Sequence, residues 1–254
     1  MNSVSAYSLF SSSSGNCTYV TDGETGFLID AGASAKKITD ALRQIHAKPE
    51  GISAVFVTHE HIDHIKGIHT LCKKTPFPVH AEETTAARID AENVITHPPV
   101  FTVQLGAFTV KSFVTSHDTR SSCGYVIEHE SGVKLGTLTD TGCVTDDMIK
   151  ALDGCFAVML ESNYDEMMLM FGGYPTDLKF RISSDRGHLS NAQCAETLPL
   201  LYRGGTRRVL LAHLSPENNT PELALSSALG AKEKYGLSDM DIRCAGRFIT
   251  TRLI

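Results

Sequence analysis

The sequence predicts an α/β protein built from two sheet halves, with helices outside each half. Short β-rich segments fill the first thirty residues, and a second group runs from about residue 100 to residue 139. Segments with helical periodicity follow each group, and strands then alternate with helices to the C-terminus. Because we find no short-period repeat, low-complexity linker or break in composition, we expect one domain over residues 1–254.

In the first half, period-2 and β-rich patterns predict strands and 3.6-residue patterns predict helices. Residues 34–46 illustrate the second case, because Ile38, Leu42 and Ile45 share one helix face and Ser34 can cap the helix. The predicted elements are strands at 7–10, 17–21 and 26–30, a serine-rich loop at 11–16, the helix at 34–46, a buried strand at 53–58, a helix at 64–74, a strand at 79–81 and a helix at 82–90.

The second half begins with β-rich segments that Gly and Ser residues interrupt. Helices return beyond Thr145 on both sides of one further strand, and another is expected to begin after Gly187. The predicted elements are strands at 101–105, 108–115, 124–129, 133–139, 156–160 and 208–212, a helix at 221–235 and a strand near 241–245.

Composition restricts the class of protein. Apolar residues make up 42% and charged residues 20%, which is ordinary for a soluble globular protein. We expect no membrane span and no secretory signal, because no apolar run is long enough and residues 1–10 lack a basic region. Seven scattered cysteines without a C-x-x-C pair indicate reduced, mostly buried thiols and a cytoplasmic location. The net charge of −6 disfavours a nucleic-acid partner without excluding one.

The segment His59-Glu60-His61-Ile62-Asp63-His64 places three imidazoles and a carboxylate within six residues. In an extended chain His59, His61 and Asp63 point to one side, so His64 points elsewhere unless the backbone turns. One metal can then take the first two histidines, and a second can take Asp63 and His64. The segment follows a predicted buried strand, at the sheet edge where α/β proteins carry their chemistry. We interpret it as part of a binuclear metal site.

Five motifs together resemble the metallo-β-lactamase superfamily in their spacing. They are Asp30 in Leu28-Ile29-Asp30-Ala31-Gly32, the 59–64 segment, His117, Asp140 in Thr139-Asp140-Thr141-Gly142, and His213. The resemblance implies an αββα sandwich with two metals at one edge. It also implies that His59, His61 and His117 hold the first metal, that Asp63, His64 and His213 hold the second, that Asp140 bridges both, and that Asp30 hydrogen-bonds the ligand loop.

Imidazole and carboxylate ligands suit zinc, manganese or iron. Two such ions can hold a hydroxide between them, and we expect this hydroxide to be the nucleophile. Asp63 is expected to orient its proton. Within the superfamily, oxygen-reducing members carry Glu at the position of His61, and true β-lactamases use a Cys ligand and do not use the equivalent of His64. Phosphodiesterases and thioester hydrolases therefore remain.

A further order of residues resembles the tRNA 3′-processing endonucleases: Glu161 after a strand, then His188, then His213 after the next strand. That resemblance implies that Glu161 orients His188 and that His188 is the general acid. Ser190 is expected to cap a helix whose exposed N–H groups favour a phosphate. Further candidate phosphate contacts are Ser13, Ser14, Asn16, Arg181, Arg186 and Asn191.

The whole chain most closely resembles the YycJ (WalJ) family of Gram-positive bacteria. Segments 12–16, 58–67, 161–163, 172–175, 178–182 and 186–191 carry the resemblance, although the family often has Gly-Pro-Tyr-Pro where this chain has Gly172-Gly173-Tyr174-Pro175. It implies a 5′-to-3′ exonuclease on double-stranded DNA, linked to mismatch repair. The alternatives are an RNA-processing or small-molecule phosphodiesterase, a thioester hydrolase, and a non-catalytic, metal-containing DNA-binding or regulatory protein.

Overall fold

The fold consists of two seven-stranded sheets with helices around them, seen in a computed structural model that describes residues 4–254. Residues 1–3, which belong to the segment considered for a secretory signal, lie outside the described residues. Among the helices of residues 4–254, none combines the length and hydropathy that crossing a bilayer requires. All seven cysteines lie in the described range, and none is in a disulfide there. Four of the seven are buried, and the sequence predicted that most would be.

The first sheet has the strand order β14-β1-β2-β3-β4-β5-β6. Pairing is antiparallel from β14 to β3 and parallel from β3 to β6. The strands are β1 (Ser5–Ser12), β2 (Gly15–Thr21), β3 (Gly26–Ile29), β4 (Ile52–Phe56), β5 (Val79–Glu82), β6 (Val94–His97) and β14 (Thr251–Arg252).

The second sheet repeats this plan with the order β13-β12-β11-β10-β9-β8-β7. Its N-terminal part, β7 to β10, is antiparallel, and β10 to β13 are parallel. The strands are β7 (Thr102–Leu105), β8 (Phe108–Val114), β9 (Cys123–His129), β10 (Lys134–Leu138), β11 (Ala157–Glu161), β12 (Arg208–Ala212) and β13 (Asp241–Cys244).

The helices connect the parallel strands and cover the outer faces of the sheets. They are α1 (Ala35–Gln44), α2 (Ile62–Ile65), α3 (Ile68–Lys74), α4 (Glu83–Ala86), α5 (Asp146–Ala151), α6 (Glu166–Phe171), α7 (Thr176–Ile182), α8 (Asn191–Arg203) and α9 (Pro221–Lys234).

Three apolar clusters hold the layers together. Phe27 and Phe56 of the first sheet pack with Phe108 and Tyr125 of the second, so the middle cluster lies between the sheets. A second cluster joins the first sheet to α1 and α3, and a third joins the second sheet to α5, α8 and α9. Parallel strands buried on both faces, such as β11, are the expected result. The predicted αββα sandwich is confirmed.

Several predicted boundaries are wrong. The helix predicted at 64–74 is divided into α2 and α3 at Gly67, where a Cβ atom would lie 2.4 Å from the carbonyl oxygen of Ala33. The helix predicted at 82–90 ends at Ala86. Most of the predicted loop 11–16 belongs to β1 and β2, with the turn confined to residues 13–14, and the strands β6 and β14 had no predicted counterpart.

Candidate metal centre

The 59–64 segment lies just beyond the carboxyl end of β4 and turns sharply into α2. His61 is the residue that precedes the helix, so the extended backbone ends there, and Asp63 and His64 sit on the first turn. The ring centroid of His59 lies 4.6 Å from that of His61 and 4.1 Å from that of His64. The turn therefore returns His64 to the side that His59 faces.

The other predicted ligands arrive on loops after strands of the second sheet. His117 follows β8, Asp140 follows β10, and His213 follows β12 directly. Because the two sheets pack face to face, these loops meet the 59–64 segment at one edge of the sandwich. The structure thus brings together all seven residues for which the resemblance implies metal binding.

The ligand atoms fall into two groups joined by Asp140. Atoms of His59, His61 and His117 lie within 4.8 Å of one another, and so do atoms of Asp63, His64 and His213. The carboxylate of Asp140 is 3.5 Å from Nε2 of both His64 and His213 and 3.9 Å from Nε2 of His117. This cluster is compatible with a dinuclear metal site.

Four of the donor atoms that face this space lack hydrogen-bond partners among the described residues. Nε2 of His59, His117 and His213 and Oδ2 of Asp140 are buried without a hydrogen-bond partner among the described residues. Buried polar atoms are rarely left unpaired, because that costs about 1–3 kcal/mol each. Lone pairs that converge without protein partners fit divalent ions, and the residues present therefore suit the implied pair of metals.

The opposite nitrogen, Nδ1, is held by the protein in four of these histidines. Nδ1 of His117 donates to the carbonyl oxygen of Gly187 (2.9 Å), and Nδ1 of His59 lies 3.0 Å from Oγ1 of Thr58. Such hydrogen bonds fix the orientation of the ring and direct Nε2 toward the space where the donor atoms converge. His64 and His213 are held through Asp30 and Glu161, respectively.

Asp30 supports the 59–64 segment through both of its carboxylate oxygens. Oδ1 accepts from the backbone N–H of Thr58 (2.8 Å), and Oδ2 accepts from Oγ1 of Thr58 (2.9 Å) and from Nδ1 of His64 (2.8 Å). Asp30 is buried, and its φ of 60° is unusual for a residue other than glycine. Asp140 and His213 share this backbone conformation, with φ values of 58° and 57°. Backbone strain is concentrated at this centre, as is typical of functional sites.

We expect Asp30→Asn to weaken metal binding by about 10- to 100-fold, because an amide cannot accept all three hydrogen bonds and leaves His64 free to rotate. Chelator competition with zinc or manganese measures the affinity. Asp22→Asn is the matched control, since Asp22 is a buried carboxylate that accepts backbone hydrogen bonds in another loop. Equal affinities for the two variants would show that Asp30 does not support the centre.

Glu161 has two partners where the sequence suggested one. Its Oε1 lies 2.7 Å from Nδ1 of His188 and 3.0 Å from Nδ1 of His213, and its Oε2 accepts from the backbone N–H of Thr141 (2.9 Å). Glu161 is fully buried, whereas 19% of the His188 side chain is exposed. One carboxylate therefore orients both the predicted acid and a predicted metal ligand.

Charges within the cluster shift its pKa values strongly. Burial alone lowers the pKa of a histidine, as it does for His59, but the carboxylates of Asp30 and Asp140 outweigh burial and raise the pKa of His64. Against the same effect of burial, Asp140 and neighbouring carboxylates raise the pKa of His213 to about 10. Because a ligating imidazole must be neutral at the donor atom, metal binding has to displace these protons.

Asp118 is a site residue that the sequence analysis missed. Its Oδ1 is buried without a hydrogen-bond partner, 3.4 Å from Nε2 of His117 and 3.8 Å from Nε2 of His61, while its other oxygen pairs with Arg181. The available signal was its position directly after His117. It adds a negative charge beside the first ligand group.

The predicted phosphate contacts have mostly different partners. Ser190 does cap α8, but it and Asn191 are buried and engaged with Gln193, Glu166, Ser162 and Asn219. These side chains therefore have protein partners, and their contact with a substrate phosphate stays a prediction.

The predicted arginine contacts are also occupied. Arg186 donates to the backbone carbonyls of His117 (3.0 Å) and Thr119 (2.9 Å), and it thereby anchors the His117 loop. Arg181 pairs with Asp118. Both guanidinium groups have partners in the protein itself, and their contact with a substrate phosphate stays a prediction.

The serine-rich turn lies beside the second ligand group. The amide nitrogen of Asn16 is 3.2 Å from Oδ2 of Asp63 and 3.0 Å from Nε2 of His64, while Ser13 and Ser14 are exposed at the tip. Asn16 therefore faces the metal ligands themselves.

This sandwich, with its histidine and aspartate cluster at one edge, defines a metallo-hydrolase of the β-lactamase superfamily. Residues 25–214 match the family described as "Beta-lactamase superfamily domain", and the chain belongs to that family. Among solved structures, YhfI from Bacillus subtilis superposes with a TM-score of 0.75 at 15% identity and covers 98% of this chain and 99% of its own. The short form of human tRNase Z gives a TM-score of 0.67 at 16% identity, covering 98% and 99%. At these identities the likeness shows the fold alone.

Two relatives with higher sequence identity are both named exodeoxyribonucleases. The chain is 38% identical over 237 residues to a Bacillus anthracis protein named exodeoxyribonuclease YycJ, with 90% of this chain and 89% of the relative covered. It is 37% identical over 226 residues to a Streptococcus pneumoniae protein named exodeoxyribonuclease WalJ, with 85% and 83% covered. The family resemblance predicted from the sequence is confirmed.

Proposed function

We propose that this protein is a two-metal phosphodiester hydrolase that degrades double-stranded DNA from the 5′ end and takes part in mismatch repair. The observation that carries the proposal is the hydrogen bond between Glu161 and His188, placed directly beside the histidine and aspartate cluster. Relatives named exodeoxyribonucleases supply the substrate class.

The cluster provides for two divalent ions, zinc or manganese, with iron possible. When bound, such a pair activates water and polarises the phosphodiester. Asp63 is suited to orient the proton of the attacking water, because its carboxylate reaches the second ligand group while its side chain is 18% exposed. The residues assigned to the first ion are His59, His61 and His117; those assigned to the second are Asp63, His64 and His213; Asp140 serves both.

His188 is suited to protonate the leaving oxygen. Its Nδ1 is bound to Glu161, so its Nε2 carries the transferable proton toward the cleft. As the P–O bond breaks, that proton passes to the leaving 3′ oxygen, and the electron pair of the N–H bond remains on the ring. Glu161 accepts a hydrogen bond from Nδ1 and holds the ring in the orientation that this transfer requires. A general acid of this kind contributes about 10²–10⁴ in rate.

Duplex DNA labelled separately at each 5′ and 3′ end tests the proposal. With manganese or zinc at low salt, we expect a 5′ label to be released first as a short product, while a 3′ label stays on progressively shorter strands. Intact duplexes alongside cleavage of a small phosphodiester would refute the exonuclease. Preferential cleavage of RNA or of a thioester in the same panel would replace it with the corresponding activity.

A further inference from the structure

A small basic pocket lies next to the metal centre and has no part in the catalysis described above. Its volume is about 220 Å³, and its lining includes Ser14, Ala33, Ser34, Lys37, Lys66 and Phe248. We call it the Lys37 pocket. No carboxylate lines it within the described range, although the chain as a whole carries a net charge of −6.

Three cations converge at the Lys37 pocket. Nζ of Lys37 lies 5.4 Å from the ring centroid of Phe248, and the guanidinium carbon of Arg247 lies 4.9 Å from it. Arg247 also donates to Oγ of Ser14 (3.1 Å), which holds it at the pocket edge. Within residues 4–254, no ion pair involves Lys37, Lys66 or Arg247, whereas Arg181 is neutralised by Asp118. Their charge is therefore available to an external anion.

The chain connects the Lys37 pocket directly to the second ligand group. Ser14 begins the short return to Asn16, whose amide contacts Asp63, and Lys66 follows His64 by two residues. The backbone N–H of Ala31 donates to the carbonyl oxygen of His64 (2.8 Å). Ala31 lies two residues before Ala33 of the pocket lining, so this hydrogen bond joins the pocket to the helix α2 that carries His64. Ser34 caps the ten-residue helix α1, whose dipole adds positive potential.

We propose that the Lys37 pocket binds a backbone phosphate of the polynucleotide substrate, one that flanks the bond to be cleaved. This inference depends on the proposed function for the identity of the polymer. An acidic protein binds a polyanion only where its cations are concentrated and unpaired, and this pocket meets that condition beside the reacting centre. The phosphate belongs either to the 5′ terminus or to an internal linkage, and the chemistry of recognition is the same for both.

The test is equilibrium binding of a fluorescent phosphorothioate duplex, which resists hydrolysis, to the metal-loaded protein over a series of salt concentrations. We expect Lys37→Gln combined with Lys66→Gln to weaken binding about tenfold. The slope of log affinity against log salt should also become less steep by about 0.9, since the pocket holds one phosphate and each lost phosphate contact removes about 0.9. The matched control combines Lys73→Gln with Lys74→Gln, two exposed lysines of α3 outside the pocket.

Duplexes with a 5′-phosphate and with a 5′-hydroxyl distinguish the two sources. A loss only with the 5′-phosphate assigns the pocket to the terminus, and an equal loss assigns it to an internal phosphate. A wild-type protein that does not bind the duplex, or a Lys37/Lys66 variant that matches the control in affinity and slope, would overturn the proposal. Normal binding by wild type without cleavage of ordinary DNA would instead contradict only the exonuclease.

Discussion

Asp63→Asn is expected to lower the rate of phosphodiester hydrolysis by about 10³-fold, equivalent to about 4 kcal/mol of transition-state stabilisation. The carboxylate lies 3.5 Å from Nε2 of His64 and 3.7 Å from Nε2 of His213. Although burial favours the neutral acid, hydrogen bonds with His213 and His64 hold the pKa of Asp63 well below its usual range. The ionised side chain thus supplies charge and a proton acceptor that an amide of the same shape cannot replace.

The measurement combines kcat on labelled duplex DNA with metal content by elemental analysis. Asp147→Asn is the control, because Asp147 is an exposed aspartate of α5. The same variant addresses the non-catalytic alternative. A DNA-binding or regulatory protein that keeps metals only for structure should retain its function when folding and metal content survive. A catalyst should retain DNA binding and lose turnover.

The histidine and aspartate cluster could be predicted from the sequence because four of its seven residues are local. His59, His61, Asp63 and His64 lie within six residues, and the strand before them predicts the sheet edge where they lie. The turn that brings His64 back could not be assigned, because it depends on Gly67 and on hydrogen bonds to Ala31, thirty-odd positions away. Side-chain direction at a strand end is set by such distant contacts.

The partners of the candidate phosphate residues also depend on distant parts of the chain. Residue type and position predicted that Arg186 and Asn191 face a ligand, and they could not predict the long-range protein contacts of these two side chains. Arg186 satisfies the carbonyl of His117, and Asn191 pairs with Asn219. The unpaired cations come instead from three separate places, α1, the end of α2 and the segment before β14, and no local pattern links them. A basic residue therefore indicates an anion site only when the structure shows that no carboxylate of the protein pairs with it.

The double role of Glu161 also required the fold. Its order in the chain relative to His188 suggested a single pair, whereas parallel pairing of β11 with β12 places His213 beside the same oxygen. Glu161→Gln should therefore affect metal binding and proton transfer together. A substitution of His188 is expected to affect mainly proton transfer.

His188→Ala is expected to lower kcat by about 10²–10⁴-fold on DNA, whose leaving group is a poorly stabilised alkoxide. Cleavage of a 4-nitrophenyl phosphodiester should change by less than about tenfold, because that leaving group needs no proton. His69→Ala, at a partly exposed histidine paired with Asp90, serves as the control. Equal losses on both substrates would contradict the assignment of His188 as general acid and would indicate a role in positioning His117 and His213, whose rings it contacts.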